Sequence, residues 1–168
     1  MAGPVSYEVK GEQYVAVLSG WGGVFALATG EIALKAGRRP NIGRMLAFKL
    51  GGNASLPPVQ ETEMPVLNPP KSTASAAAIE NGKRLYQRFC SGCHGDVAVS
   101  GGVLPDLRYS ATLANDQWFN IVLHGLLQPN GMVSFAKEIS RRDAESIRVY
   151  VIARANETKT ESSHSAAK

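Results

Sequence analysis

The stretch RFCSGCHGD, residues 88–96, holds both cysteines of a 168-residue chain, two residues apart, with a histidine directly after the second. The residues before it are helical in pattern: in AIENGKRLYQRFC, Ile79, Gly82, Tyr86 and Phe89 recur at the spacing of one helix face. Two further helices are predicted downstream. NDQWFNIVLHG opens at Asn115, a good N-cap, ends at Gly125 and sets Trp118, Ile121 and Val122 on one side. SRRDAESIRVYVIARA carries Ser140 and Asp143 at capping-box spacing, followed by a stripe of Ala144, Ile147, Tyr150 and Val151. Residues 78 to about 155 therefore read as a compact helical unit. Three short helices with long connections make a thin core, so the pattern asks for something else in the middle.

Four readings of the cysteines compete. A disulfide between Cys90 and Cys93 would close a tiny loop and constrain little of the unfolded chain. A thiol–disulfide oxidoreductase places Cys-x-x-Cys at the start of a helix that follows a strand, whereas this motif follows a helix. A tetrahedral zinc site needs four ligands, usually as two separated pairs, and the chain has three histidines, one of them adjacent to Cys93. The fourth reading is covalent haem attachment, C-x-x-C-H: two thiols at this spacing add to the two vinyl groups on one porphyrin edge, and the adjacent histidine meets the iron. It accounts for the order of all three residues and supplies the missing core. On this reading Cys90 and Cys93 anchor one haem and His94 is an axial ligand. For the other axial position Met132, in the glycine-flanked NGMVSF loop, is preferred to His124, which ends the preceding helix; Met45 and Met64 lie in other zones.

Outward from the helical unit the composition changes. Residues 51–77 carry five prolines and read as a linker, which at about 3.1 Å per residue in extended form reaches several tens of ångströms. Residues 1–50 read as β. VSYEV and EQYVAVL flank Lys10-Gly11, a two-residue hairpin turn, and RMLAFKL at 44–50 is a third strand, with a glycine-rich irregular segment between. Both faces of these strands are apolar, and three strands alone make no stable sheet in water, so self-association is expected. Residues 156–168 are polar and expected to be disordered. The formal charge of +4 is spread in pairs too dilute for nucleic acid, and no run of about 18 apolar residues spans a membrane. MAGPVSYEVK lacks the charged start and apolar core of a signal peptide.

The 78–155 unit resembles a class I c-type cytochrome domain. The matching pieces are the helix with Gly82 and Tyr86 before CSGCH, the proline of GGVLPDLR, the GMVSF loop and a last helix carrying Tyr150. The resemblance implies a mainly α fold in which the first and last helices cross closely. It also implies that the Pro105 carbonyl orients the histidine and that Trp118 and Leu123 line the haem pocket. YEVKGEQYVAVLSGWGG, then NIGRMLAFKLGG, then a proline-rich linker, resembles the end of a quinohaemoprotein alcohol dehydrogenase. Those proteins join a propeller holding pyrroloquinoline quinone (PQQ) and calcium to a C-terminal cytochrome domain. The chain would then hold a partial propeller blade at 1–50, with the catalytic residues, PQQ and calcium belonging to the longer parent. No catalytic residue carries over, and Trp21 is expected to be structural.

The function implied is electron relay from the PQQ centre through the haem to a soluble periplasmic acceptor. Lys83, Arg84 and Arg88 beside the attachment site would suit an acidic acceptor. Periplasmic location would require a signal peptide carried upstream in the parent. The alternatives are a truncated piece that never receives haem and a thiol–disulfide oxidoreductase.

Overall fold

The computed structural model describes residues 3–20, 42–58 and 65–166. Trp21 and Met64 lie outside them. The N-terminal strands are β1 (Val5–Val9), β2 (Glu12–Ser19) and β3 (Arg44–Lys49), in one antiparallel sheet of order β1-β2-β3. Lys10 and Gly11 both take positive φ, 52° and 79°, which gives the two-residue turn a twist that matches its strands. That turn fixes the register with Val9 opposite Glu12 and Tyr7 opposite Tyr14, whose rings stack 5.4 Å apart. Apolar side chains are exposed on both faces, among them Val15 and Phe48 on one and Leu18 and Met45 on the other.

The helical unit comprises α1 (Ala76–Phe89), the single turn α2 (Ser91–His94), α3 (Gln117–Val122) and α4 (Arg141–Ala166). Short 3₁₀ turns at Leu107–Tyr109, Ala111–Ala114 and Gln128–Asn130 shape the connections. Local chemistry sets the helix starts. The Ser75 hydroxyl accepts from the Ala78 amide at the head of α1. The Asn115 side chain accepts from the Gln117 amide of α3. Ser140 and Asp143 exchange bonds as a reciprocal box, Asp143 taking the Ser140 amide and Ser140 taking the Asp143 amide.

The most extensive packing between helices is α1 against α4. Tyr86, Ile147 and Val151 are fully buried there, and the Tyr86 and Tyr150 rings meet at 5.2 Å. Full burial stabilises by about 1.5–3 kcal/mol for an apolar side chain of this size. The crossing is close because residue 82 has no side chain. A Cβ at that point would sit 2.0 Å from the Ser146 carbonyl oxygen and 2.9 Å from the Tyr150 Cβ.

The C-terminal segment corrects the sequence expectation: residues 156–166 continue α4 instead of being disordered. Hydroxyls that compete with a helix elsewhere are here satisfied inside it. Thr158, Thr160, Ser162 and Ser163 each donate to the carbonyl four residues earlier, at 2.8–3.1 Å. Tertiary contacts supply the rest. Ala155 and Thr158 are buried, and the Asn156 amide donates to the Pro70 carbonyl at 2.8 Å. The second half of the proline-rich segment is thereby held on α4, with Leu67 buried.

Replacing Gly82 with alanine adds about 1 kcal/mol of helix propensity but forces a methyl into backbone atoms that cannot rotate away. The expected net loss is about 2 kcal/mol or more, read as a lowered midpoint in thermal unfolding followed by far-ultraviolet circular dichroism.

Candidate functional site

The site is built at the C-terminal end of α1. The Cys90 amide closes the helix on the Tyr86 carbonyl at 2.8 Å, and α2 then adds one turn, with Cys93 and His94 amides bonding back to the Cys90 carbonyl. Residues three apart on a helical turn share a side, so Cys90 and Cys93 present their thiols together. Both are free thiols, Cys90 half-buried and Cys93 exposed. Two side chains of α1 fasten the exit of the turn: the Tyr86 hydroxyl donates to the Gly95 carbonyl at 2.8 Å, and Gln87 donates to the Asp96 carbonyl.

His94 is buried, and its Nδ1 lies 3.0 Å from the Pro105 carbonyl oxygen. A carbonyl can only accept, so Nδ1 carries the proton and Nε2 keeps its lone pair for a metal. The loop that delivers Pro105 is held from both ends. The Ser100 hydroxyl donates to the Leu104 carbonyl. Asp106 accepts the Ser100 amide at 3.3 Å and pairs with Arg108 through both its oxygens, at 2.6 and 2.9 Å. Arg108 is 2% exposed and reaches α4, where its Nη1 donates to the Thr158 hydroxyl at 2.8 Å. Arg154 of α4 donates to the Val97 carbonyl at 3.1 Å.

Met132 sits on the loop between α3 and α4, half-buried against the core, beside Gly131 at φ 94°. Its amide bonds to the Leu127 carbonyl, and the loop is pinned by the Phe135 amide on the Val122 carbonyl and by the Ser134 hydroxyl on the Leu123 carbonyl. His124 is exposed, and Met45, on β3, is 69% exposed. Trp118 and Leu123 are buried in the core cluster. The Trp118 indole N–H donates to the Ala144 carbonyl at 2.9 Å, which makes Trp118 a tie between α3 and α4 as well as an apolar wall.

The donor set suits a tethered porphyrin: two thiols on one turn, an imidazole whose Nδ1 is taken by a carbonyl, and a thioether on the loop between α3 and α4. Val103 and Leu104 on the loop after His94, and Leu126, Leu127 and Val133 on the Met132 loop, are exposed apolar side chains of the kind a flat apolar group would cover. The competing readings fit less well. No group of three or more His, Cys, Asp or Glu able to hold a metal occurs among the described residues, which disfavours a tetrahedral zinc site. Burial, with a smaller contribution from Cys93, pushes the Cys90 thiol up from its ordinary 9.0 to about 12, the opposite of an activated redox thiol. The Asp106–Arg108–Thr158 chain escaped the sequence reading. The Asp-x-Arg spacing in PDLR was its only local sign.

Residues 77–151 match the family model described as cytochrome c oxidase, cbb3-type, subunit III. The fold of the helical unit is that of a class I cytochrome c domain. Quinohaemoprotein alcohol dehydrogenase ADH-IIG of Pseudomonas putida is 44% identical over 158 residues, which cover 94% of this chain and 21% of the relative. The dehydrogenase subunit of the quinone-type alcohol dehydrogenase of Gluconobacter oxydans (strain 621H) is 42% identical over 159 residues, again 94% of this chain and 21% of that protein. The solved structure of quinohaemoprotein alcohol dehydrogenase ADHIIG from Pseudomonas putida HK5 superposes with a TM-score of 0.77 at 41% identity, covering 94% of this chain and 22% of that one. Over nearly its whole length, then, the chain is homologous to the cytochrome-bearing part of the quinohaemoprotein alcohol dehydrogenases, and it spans about a fifth of their length.

The raised Cys90 pKa has two consequences for haem-free protein. At pH 8 iodoacetamide is expected to modify Cys93 at least about tenfold faster than Cys90, because Cys90 is both protonated and shielded. Because the folded thiol holds its proton more tightly than the unfolded one, its contribution to stability is complete below pH 9.0 and is lost as pH rises from there through about 12. Peptide mapping after timed alkylation checks the first, and denaturation midpoints across that window check the second.

Proposed function

We propose that the chain carries one covalently bound c-type haem and passes electrons from a PQQ alcohol dehydrogenase centre to a soluble acceptor. The observation that carries this reading is the Nδ1–H bond from His94 to Pro105 beside two thiols on one turn. Cys90 and Cys93 would hold the haem by adding S–H across its two vinyl groups, sulfur to one carbon and hydrogen to the next, which would need no oxidant. His94 would hold the iron through Nε2 and Met132, on the loop between α3 and α4, through its thioether; Pro105 holds the imidazole ring. Trp118 and Leu123 wall the pocket and exclude water. The bound group supplies a reversible one-electron couple, which a methionine ligand raises relative to two histidines. PQQ and calcium belong to an upstream propeller domain, of which 1–50 is the last part.

Covalent attachment of this kind is made outside the bacterial cytoplasm, so the working location is the periplasm. Near the attachment turn Lys83, Arg84 and Arg88 are exposed, and among the described residues only Lys83 of these has a carboxylate within ion-pair distance, Glu80 at 3.9 Å. That leaves a positive edge suited to an acidic acceptor.

The test is a reduced-minus-oxidised visible spectrum of the chain expressed behind a periplasmic signal with haem-maturation machinery, repeated after denaturation. A low-spin spectrum that stays with the unfolded chain is expected. A colourless protein with two free thiols would leave the apo-fragment and thiol-oxidoreductase readings. Met132→Ala is expected to abolish the methionine-ligated low-spin form, whereas His124→Ala should leave it intact. Reduction of an acidic acceptor should slow roughly three- to tenfold between low and physiological salt; a rate indifferent to salt counts against the charged edge.

A further inference from the structure

The geometry points to a positioning role for Asp106, Arg108 and Thr158: together they hold the Pro105 carbonyl on His94 and thereby help set the potential of the iron. The inference rests on the haem reading above. The Pro105 carbonyl belongs to the peptide unit that enters Asp106, so whatever fixes Asp106 fixes the acceptor of the His94 Nδ1–H. Asp106 cannot drift, because its two oxygens take four donors: the Ser100 and Arg108 amides and the Arg108 Nε and Nη2. Arg108 in turn is almost wholly buried, and its remaining anchor is the Thr158 hydroxyl, fifty residues on in sequence.

Thr158 suits this task. Its own proton goes to the Arg154 carbonyl at 3.1 Å, which turns an oxygen lone pair toward Arg108. Thr158 is 5% exposed, so water cannot readily replace it. A firm Nδ1–H bond makes an imidazole more basic toward a metal and favours the ferric state; a loosened one raises the potential.

The experiment uses the full chain with haem bound and compares Thr158→Val, Thr158→Ser and Arg108→Lys with the unmodified protein. Two readouts go beyond fold support: the hydrogen-exchange rate of the His94 Nδ1 proton by NMR, and the midpoint potential by spectroelectrochemistry. Thr158→Val and Arg108→Lys are expected to speed the exchange several-fold and to raise the potential, the lysine keeping the charge but losing the fork. Thr158→Ser, which keeps the hydroxyl, should behave as the parent. If either of the first two variants fails to fold, the other carries the test. Lowered thermal stability with unchanged exchange and potential would overturn the inference and leave the three residues as supports of the fold. An unmodified chain that takes up no covalent haem would overturn the haem reading itself, and the inference with it.

Discussion

The close crossing of α1 and α4 at Gly82 is the constraint from which the rest of the helical unit follows. With no side chain at 82 the two backbones approach until α1 meets the Ser146 carbonyl, and that distance brings Tyr86 and Tyr150 ring to ring. Tyr86 then does a second job: its buried hydroxyl bonds the Gly95 carbonyl and so fixes the exit of the turn that carries Cys90, Cys93 and His94. Burial holds that hydroxyl well above the ordinary tyrosine range, so it stays a donor at any physiological pH. Helix packing and site geometry are therefore one problem. A shift of α1 along α4 would move the thiols and the imidazole together.

Away from this crossing the unit is also held by side chains that reach backbone carbonyls of other segments. Tyr86 to Gly95, His94 to Pro105, Arg154 to Val97, Trp118 to Ala144 and Ser134 to Leu123 are all of this kind. Each is worth only about 1 kcal/mol net while made, yet a buried donor left unpaired costs about 1–3 kcal/mol. Such bonds specify loop positions more than they add stability. That suits loops several of whose apolar side chains, Val103, Leu104, Leu126, Leu127 and Val133 among them, remain uncovered by protein.

What the sequence made legible is what it encodes locally. The C-x-x-C-H motif, the helix stripes through Tyr86 and Tyr150, the Ser140–Asp143 box and the Lys10-Gly11 turn each depend on residues within a few positions, and each is present in the structure. The β-strands were readable as short β-rich runs, two of them joined by the Lys10-Gly11 turn, although the glycine-rich segment between β2 and β3 lies for the most part outside the described residues. The length of α4 was not readable. ETKTESSHSA looks polar and disordered by composition, and the bonds that reach this end of the helix from Pro70 and Arg108 are not visible in local sequence. Trp118 shows a second limit. Pattern places it inside, but its indole bond to Ala144 depends on where α4 passes, which no local spacing reveals.

The second half of α4 also shows why so polar a helix is worth extending. Residues 154–158 receive three separate segments: Arg154 takes the Val97 carbonyl, Asn156 takes Pro70, and Thr158 takes Arg108. The first and third of these segments flank Pro105 in sequence, and the second is the entry of the chain into the helical unit. Had α4 ended near residue 151, where its apolar stripe runs out, Arg108 would be left as a buried cation with Asp106 alone, and the Pro70 segment would have no seat. An isolated buried ion pair gains little over its desolvation cost, whereas one whose remaining donor is satisfied keeps a single geometry. The extension contributes little apolar burial of its own. It instead brings the polar groups that bind the loop before Pro105, the loop after it and the incoming chain to one rigid element.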